Sequence, residues 1–373
     1  MPEENCVLVA AGGTGGHLFP AEALADALMR RGVPVELATD DRAVKYGAQF
    51  RARAIHAIPA ATPTGGGLAG KAKAAAVLAR GTAVALGVVW RARPMAVVGF
   101  GGYPTVPPLL AAAILGAPTV LHEQNAVMGR ANRFLAGRVD AIATGFEQLG
   151  GVSEAILAKA RHTGNPVRPA VIVAAQTPYP VSDGARLNVL VTGGSQGARV
   201  MSDVVPAAME LLGADIRARI SLVQQARGED ETRVKDVYGR LGLAAEVAPF
   251  FADLPARMAG AHLVVARSGA STVSELAVIG RPSILVPFPH AIDQDQAANA
   301  RHLAETGAAL VVPQTQFTPQ FLADALVSAL SDPQSLTKRA EAARSAGVAD
   351  AADRLADLVL EVAARKRGTG DKA

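Results

Sequence analysis

"VLVAAGGTGGHLFP", Val7 to Pro20, passes from an apolar run through four glycines to a histidine and then into a helical pattern. Val7–Ala11 reads as a buried strand and Pro20–Arg31 as a helix, with Gly12, Gly13, Gly15 and Gly16 forming the turn between them. A glycine turn of this kind lets backbone N–H groups approach an anion, and the helix N-terminus adds partial positive charge. The turn does not spell a dinucleotide fingerprint. With Gly13 and Gly15 taken as its first two glycines, Leu18 stands where the third is required. An acid about 20 residues on is present at Asp40 or Asp41, which is a weak signal by itself.

The same theme restarts in "LNVLVTGGSQGARVMSDVVPAAMELL", where the strand Val189–Thr192 meets Gly193, Gly194 and Gly197 before a helix. Further short apolar strands are expected at Val35–Thr39, Ala96–Gly99, Thr119–His122, Ile220–Val223, Leu263–Ala266 and Ser283–Val286. Helices are expected at Lys71–Arg91, Thr105–Leu115 and, as one long element, Ser331–Arg365. Strands alternating with helices predict doubly wound parallel sheets. Two glycine-turn units about 180 residues apart predict two Rossmann-like α/β domains facing a shared cleft. Thr163–Leu187 concentrates proline without periodicity and reads as the connector.

Composition narrows the function. At 373 residues with half of them apolar, the chain suits two packed domains. Cys6 is the single cysteine, so neither a disulfide framework nor a cysteine zinc site is expected, and a reducing compartment fits. The acidic start "MPEENC" does not read as a signal peptide, and Pro108–Leu121, taken as the longest apolar stretch, is too short to span a bilayer. Between Asp41 and Glu123 there is no acidic residue but nine basic ones, which points to an anionic lipid or phosphate partner. Aromatic residues are too few to interleave with these charges as a nucleic-acid platform, so no nucleic acid is expected.

Gly65–Ala72, "GGGLAGKA", approaches a P-loop, but Ala72 lacks the magnesium-binding hydroxyl and Pro59 and Pro63 disrupt the required strand. The helix that follows carries Leu78 and Trp90 beside Lys71, Lys73 and Arg80, which suits either a membrane surface or ordinary packing. "ARSGASTVSELAVIGRP", Ala266 to Pro282, places Ser268, Gly269, Ala270, Ser271 and Thr272 at a strand-to-helix turn, with donors for a phosphate. Glu275, one turn further, can accept both hydroxyls of a ribose. Gln294, Gln296 and Asn299 bring amides that suit sugar hydroxyls, while Asp293-x-Asp295 reads as a helix cap more readily than as a metal motif.

In order along the chain, "GGTGGH", "GFGGYPT" (Gly99–Thr105), "LHEQN" (Leu121–Asn125), "GNPVR" (Gly164–Arg168), "GGSQGAR" (Gly193–Arg199), "RSGASTVSE" (Arg267–Glu275) and "PFPH…DQDQAANA" (ending at Ala300) resemble the MurG family of bacterial peptidoglycan N-acetylglucosaminyltransferases. The resemblance implies a GT-B fold. It implies an acceptor- and membrane-binding domain over 1–165, a UDP-GlcNAc-binding domain over 166–344, and a last helix, about 345–365, returning to the first. It places Glu275 on the ribose, the backbone of Phe251 at the uracil edge, and Ser195 with the Ser268–Thr272 turn on the diphosphate. Thr14, Gly15, Gly16, His17, Asn125, Arg168 and Gln296 fall on donor-site positions, with Gln294 and Asn299 nearby. Tyr103, His122 and Glu123 fall on the acceptor side. The helix with Lys71, Lys73, Leu78, Arg80 and Trp90 falls on a membrane patch. Asp293-Gln294-Asp295-Gln296 departs from the family's usual Asp-Asp-His-Gln.

The implied reaction is an inverting transfer of GlcNAc to the C4 hydroxyl of MurNAc in lipid I, giving lipid II, without metal or other cofactor. The implied setting is the cytoplasmic face of the bacterial inner membrane, with cell-wall synthesis and division proteins as partners. Such a displacement needs a base, for which His17 and then Glu123 are the candidates, and charge stabilisation at the departing diphosphate. A glycolipid synthase, a UDP-GlcNAc epimerase and an NAD-dependent oxidoreductase are the competing readings. "GGTGGH" and "LHEQN" weigh against the first, the acid-free basic stretch against the second, and Leu18 against the third.

Overall fold

Short apolar runs pair side by side in both halves of the chain because each is flanked by helices that cover both faces of its sheet. The computed structural model describes residues 6–12, 15–40, 50–63, 67–181, 184–194, 197–291 and 294–370. The chain divides into two units, Met1–Arg168 with Ala349–Ala373, and Pro169–Val348.

In the first unit β1 (Val7–Ala10), β2 (Val35–Thr39), β3 (Ala54–Ala57), β4 (Ala96–Gly99), β5 (Thr119–Glu123), β6 (Ala141–Thr144) and β7 (Ala160–His162) form a parallel sheet. Its order is β3-β2-β1-β4-β5-β6-β7. The order reverses between β1 and β4, whose ends are in register at Ala10 and Gly99. A parallel sheet opens a crevice at the carboxyl ends of its strands where the order reverses, so this topology puts "GGTGGH" and "GFGGYPT" at one place.

The second unit repeats the arrangement. There β8 (Leu187–Thr192), β9 (Ile220–Gln225), β10 (Ala245–Ala248), β11 (Leu263–Ala266), β12 (Ser283–Leu285) and β13 (Ala309–Val311) lie in the order β10-β9-β8-β11-β12-β13. Its reversal falls between β8 and β11, in register at Thr192 and Ala266, which brings together "GGSQGAR" and "RSGAST".

Several elements differ from the sequence reading. The first helix runs Gly15–Arg30, so it begins before Pro20 rather than at it. The glycines supply its first turn, and Pro20 forgoes only the bond to the Gly16 carbonyl. The connector contains a helix, Pro169–Ala174, begun by a proline whose missing N–H costs nothing at a first position. The expected Ser331–Arg365 element is two helices, Pro333–Ser345 and Ala351–Gly370. The chain breaks at Gly347, where an added Cβ would stand 2.7 Å from the Ala277 carbonyl oxygen. Beyond the break, Leu355, Leu358, Val359 and Val362 enter the core of the first unit beside Leu24 and Leu28. Asp353 pairs with Arg30 and Arg31, and Asp140 with Lys366, to pin the helix there.

Gly67–Ala92 is a 26-residue helix, long and apolar enough to cross a membrane by length and composition, so Pro108–Leu121 is not the longest apolar stretch. Here it packs on the Val106–Ile114 helix with Ala74, Gly81, Ala85, Val88 and Val89 buried. Leu68 and Trp90 remain 86% and 65% exposed, and Ile114 is exposed at the end of the neighbouring helix. Gly81 permits the packing, since a Cβ there would lie 2.0 Å from the Pro59 carbonyl oxygen. Alanine normally stabilises a helix interior over glycine by about 1 kcal/mol. Gly81→Ala is expected to do the reverse, lowering the thermal midpoint through overpacking of about 1–3 kcal/mol. A raised midpoint would show that the helix does not sit this close to Pro59.

Candidate active site

At the carboxyl ends of β1, β4 and β5 a polar network surrounds His17. The ring is partly buried and lies over Gly101 and Gly102, whose φ angles are +86° and +72°. A Cβ on Gly102 would come within 3.5 Å of His17 Nε2, and one on Gly101 within 3.5 Å of Cε1. Glycine is needed at both positions, for the left-handed backbone and for the ring above it. His17 Nδ1 is 3.2 Å from Gln124 Oε1, and Gln124 Nε2 donates to the Phe100 carbonyl at 2.8 Å. Burial pushes the His17 pKa below its usual 6.5, against the smaller opposing effects of Gln124 and the Phe100 carbonyl.

Its neighbours on β5 are placed differently. Glu123 is buried, and both carboxylate oxygens are occupied. Oε1 accepts from Asn125 N at 3.0 Å and Asn125 Nδ2 at 3.3 Å; Oε2 accepts from Gly129 N at 3.0 Å and Asn132 Nδ2 at 2.7 Å. Burial raises its pKa, and these donors oppose the rise. Glu123 thus fastens the loop 124–129 to the Arg130–Ala136 helix. His122 is wholly buried, with Nε2 donating to the Gly164 carbonyl at 3.3 Å and, among the described residues, no partner at Nδ1. Tyr103 is half-buried, in the short turn before the Val106–Ile114 helix, and Arg168 stacks over the exposed Phe19 at 4.6 Å. Gly15 and Gly16 open the first helix, while Thr14 lies outside the described residues.

In the second unit the Ala270–Ile279 helix points its N-terminus to the carboxyl end of β11. Ser268 is fully buried; its hydroxyl donates to the Gln296 carbonyl at 2.8 Å, and its own carbonyl accepts from buried Asn299 at 3.3 Å. Gln296 Oε1 accepts from Phe288 N at 2.9 Å. Gln294 sits just before the Asp295–Glu305 helix with φ +51°, and Asp295 accepts from Gln296 N at 2.9 Å, as a helix-start acid does. Glu275 is buried one turn into its helix. Phe251 is buried under the Arg257 guanidinium, 4.4 Å from the ring centre. Ser195 and Asp293 lie outside the described residues.

Three residues that hold these loops escaped the sequence reading. Gln124 orients His17. Gln225 ties the second glycine turn together: Oε1 accepts from Thr192 Oγ1 at 2.9 Å and Gly193 N at 3.1 Å, and Nε2 donates to the carbonyls of Gly194 and Pro249. Arg267 spans the carbonyls of Val286 and Pro287 and the side chain of Gln314 at 2.6 Å. The only signal for the two glutamines was an amide at the end of an apolar strand, where a buried polar group must find partners.

The buried His122 has a consequence for stability. Its pKa is lowered to about 4 by burial, with the nearby His17 adding to the fall. The unfolded chain binds a proton at about pH 6.5 and the folded one does not. Stability is therefore full above pH 6.5 and is lost as pH falls toward 4, by about 3 kcal/mol for this group. Urea midpoints measured between pH 7 and 4 are expected to drop along this limb, and His122→Asn to flatten it; an unchanged slope in the variant would assign the effect elsewhere.

Residues 7–144 match the description "Glycosyltransferase family 28 N-terminal domain" and residues 188–355 "Glycosyltransferase family 28 C-terminal domain". A UDP-N-acetylglucosamine--N-acetylmuramyl-(pentapeptide) pyrophosphoryl-undecaprenol N-acetylglucosamine transferase of Methylorubrum populi is 60% identical over 96% of this chain and 97% of its own length. Its namesake from Rhodopseudomonas palustris strain BisA53 is 54% identical over 97% of each. The crystal structure of Acinetobacter baumannii MurG superposes with a TM-score of 0.77 at 28% identity, covering 96% of this chain and 99% of that one. A UDP-GlcNAc 2-epimerase from Neisseria meningitidis shares the fold at 14% identity, with a TM-score of 0.66 over 95% and 100% of the two chains. With both family 28 domains present in order and relatives this similar along almost its whole length, the chain belongs to the MurG family of GT-B glycosyltransferases.

Proposed function

We propose that this protein transfers N-acetylglucosamine from UDP-GlcNAc to the C4 hydroxyl of MurNAc in lipid I, with inversion at C1 and without a metal, to give lipid II. The observation that carries this reading is His17, seated on the Gly101-Gly102 backbone with Nδ1 engaged by Gln124. Its pKa lies below 6.5, so the ring is neutral near pH 7 and can accept a proton. Nε2 takes the proton of the C4 hydroxyl. The oxygen attacks C1 from the face opposite the diphosphate, and the C1–O bond breaks with its electron pair passing to UDP.

The Ser268–Thr272 turn at a helix N-terminus and the loop carrying Ser195 receive the charge that develops on the diphosphate. Glu275 accepts from the ribose hydroxyls and the Phe251 backbone meets the uracil edge. Gln294 and Gln296 offer amides to the donor's sugar, and Asn125, Arg168, Thr14, Gly15 and Gly16 of the first unit stand at positions that the family resemblance gives to the donor. Asn299 acts through the Ser268 carbonyl that it holds. On the acceptor side Tyr103 contacts substrate. The occupied carboxylate of Glu123 and the buried ring of His122 suit them to shaping the loop 124–129 rather than to taking the proton. The exposed Leu68, Trp90 and Ile114, bordered by Lys71, Lys73, Arg80 and Arg91, suit adsorption to an anionic membrane surface where lipid I resides, on its cytoplasmic face. Leu78 is only half-exposed and packs inward.

Incubation of the protein with UDP-GlcNAc and a lipid I analogue is expected to give the β-1,4-linked disaccharide product, undiminished by EDTA. Loss of activity on chelation would overturn the metal-free reading and turn attention to Asp293 and Asp295. Two substitutions separate chemistry from donor binding. His17→Ala is expected to lower kcat on the order of 100-fold or more with UDP affinity little changed, whereas Glu275→Ala is expected to weaken UDP binding about 10-fold or more. Normal turnover in His17→Ala would remove His17 from the base role.

A further inference from the structure

The geometry points to Gln124 as the positioning residue that decides which nitrogen of His17 carries the proton; this rests on His17 as the base and names what prepares it. Gln124 is buried at the end of β5, and its backbone carbonyl accepts from Asn165 Nδ2 at 2.9 Å. Its side-chain amide bridges two groups, donating through Nε2 to the Phe100 carbonyl at 2.8 Å and presenting Oε1 to His17 Nδ1 at 3.2 Å.

The Phe100 carbonyl fixes the orientation of that amide, because the flipped form would bring two oxygen acceptors together. With Oε1 facing the ring, Nδ1 must be the donor. A neutral imidazole protonated at Nδ1 carries its lone pair on Nε2. Among the described residues no hydrogen bond reaches Nε2, which faces Gly102. An amide achieves this without the charge of a carboxylate, which would favour the imidazolium and leave less free base near neutral pH. Among the described residues no carboxylate hydrogen-bonds to the ring. Glu123 is turned to Asn125, Gly129 and Asn132, and His122, whose charge is coupled to that of His17, is kept neutral by burial.

The test is the ¹⁵N spectrum of the histidines in the full chain without substrate, with His17 assigned by the signal missing in His17→Gln. Wild type is expected to show a neutral His17 protonated at Nδ1. Gln124→Met, which removes the acceptor, is expected to move the proton substantially to Nε2 and to lower kcat about 10- to 100-fold, with KM for UDP-GlcNAc within about twofold. Gln124→Glu keeps an oxygen facing Nδ1 but adds the charge that favours the imidazolium, so Nδ1 is expected to stay protonated while the pH at which the ring loses its second proton rises. That rise also serves as the test if the methionine variant does not fold, and its absence counts against the inference. A wild-type proton on Nε2, or an unchanged tautomer in Gln124→Met, overturns the inference. Lost turnover in His17→Ala with that tautomer unchanged rejects Gln124 alone. Retained turnover in His17→Ala rejects the base reading, and the spectra still decide whether Gln124 sets the proton.

Discussion

A Cβ on Gly193 would stand 2.2 Å from the amide nitrogen of Ala198, and one on Gly99 2.4 Å from Leu109 Cδ1. At Gly193 the chain turns within a space that admits backbone only, and at Gly99 a side chain would have to displace the core residue Leu109. Both lie where the order of a parallel sheet reverses, so the constraint falls at the crevice each sheet opens at its carboxyl edge. Helices begin just after these turns, at the carboxyl edge of each sheet, and a helix N-terminus favours an anion. The glycine motifs, the strand order and the site positions are thus one fact seen at three scales.

Backbone that approaches this closely has polar groups to satisfy, and two glutamines at strand ends meet much of the need. Gln225 holds Thr192, Gly193, Gly194 and Pro249 in one arrangement, and Gln124 does the same for Phe100 and the ring of His17. An amide suits the task because it donates and accepts from one side chain. It also does so without a charge, which in a buried setting would shift the proton equilibria of its neighbours.

The sequence reading located β1, β4, β5, β8 and β11 to within two residues at either end, because each centres on adjacent valines or leucines followed by turn residues. It did not mark β3, β6, β7, β10 and β13, which are three or four residues long and alanine-containing, and which gain their identity only from pairing with a neighbour. The proline connector hid a helix for the same reason. The single helix expected over Ser331–Arg365 is split because Gly347 must pass against the Ala277 carbonyl, a contact between residues 70 positions apart.

The candidate site residues were chosen from the order of their motifs, since a glycine turn, a helix start and an amide-bearing loop are local patterns with local causes. Alternating strands and helices likewise determined two parallel sheets. What tertiary structure alone decided is how His17, His122 and Glu123 differ. All three belong to strand-end motifs and look alike in sequence. Among the described residues, burial and partners from Phe100, Gln124, Asn132 and Gly164 leave one ring nitrogen open, seal the second histidine inside the sheet, and occupy both oxygens of the carboxylate. Those partners lie up to 107 residues away along the chain, and only the folded sheet brings their donors and acceptors within hydrogen-bond distance.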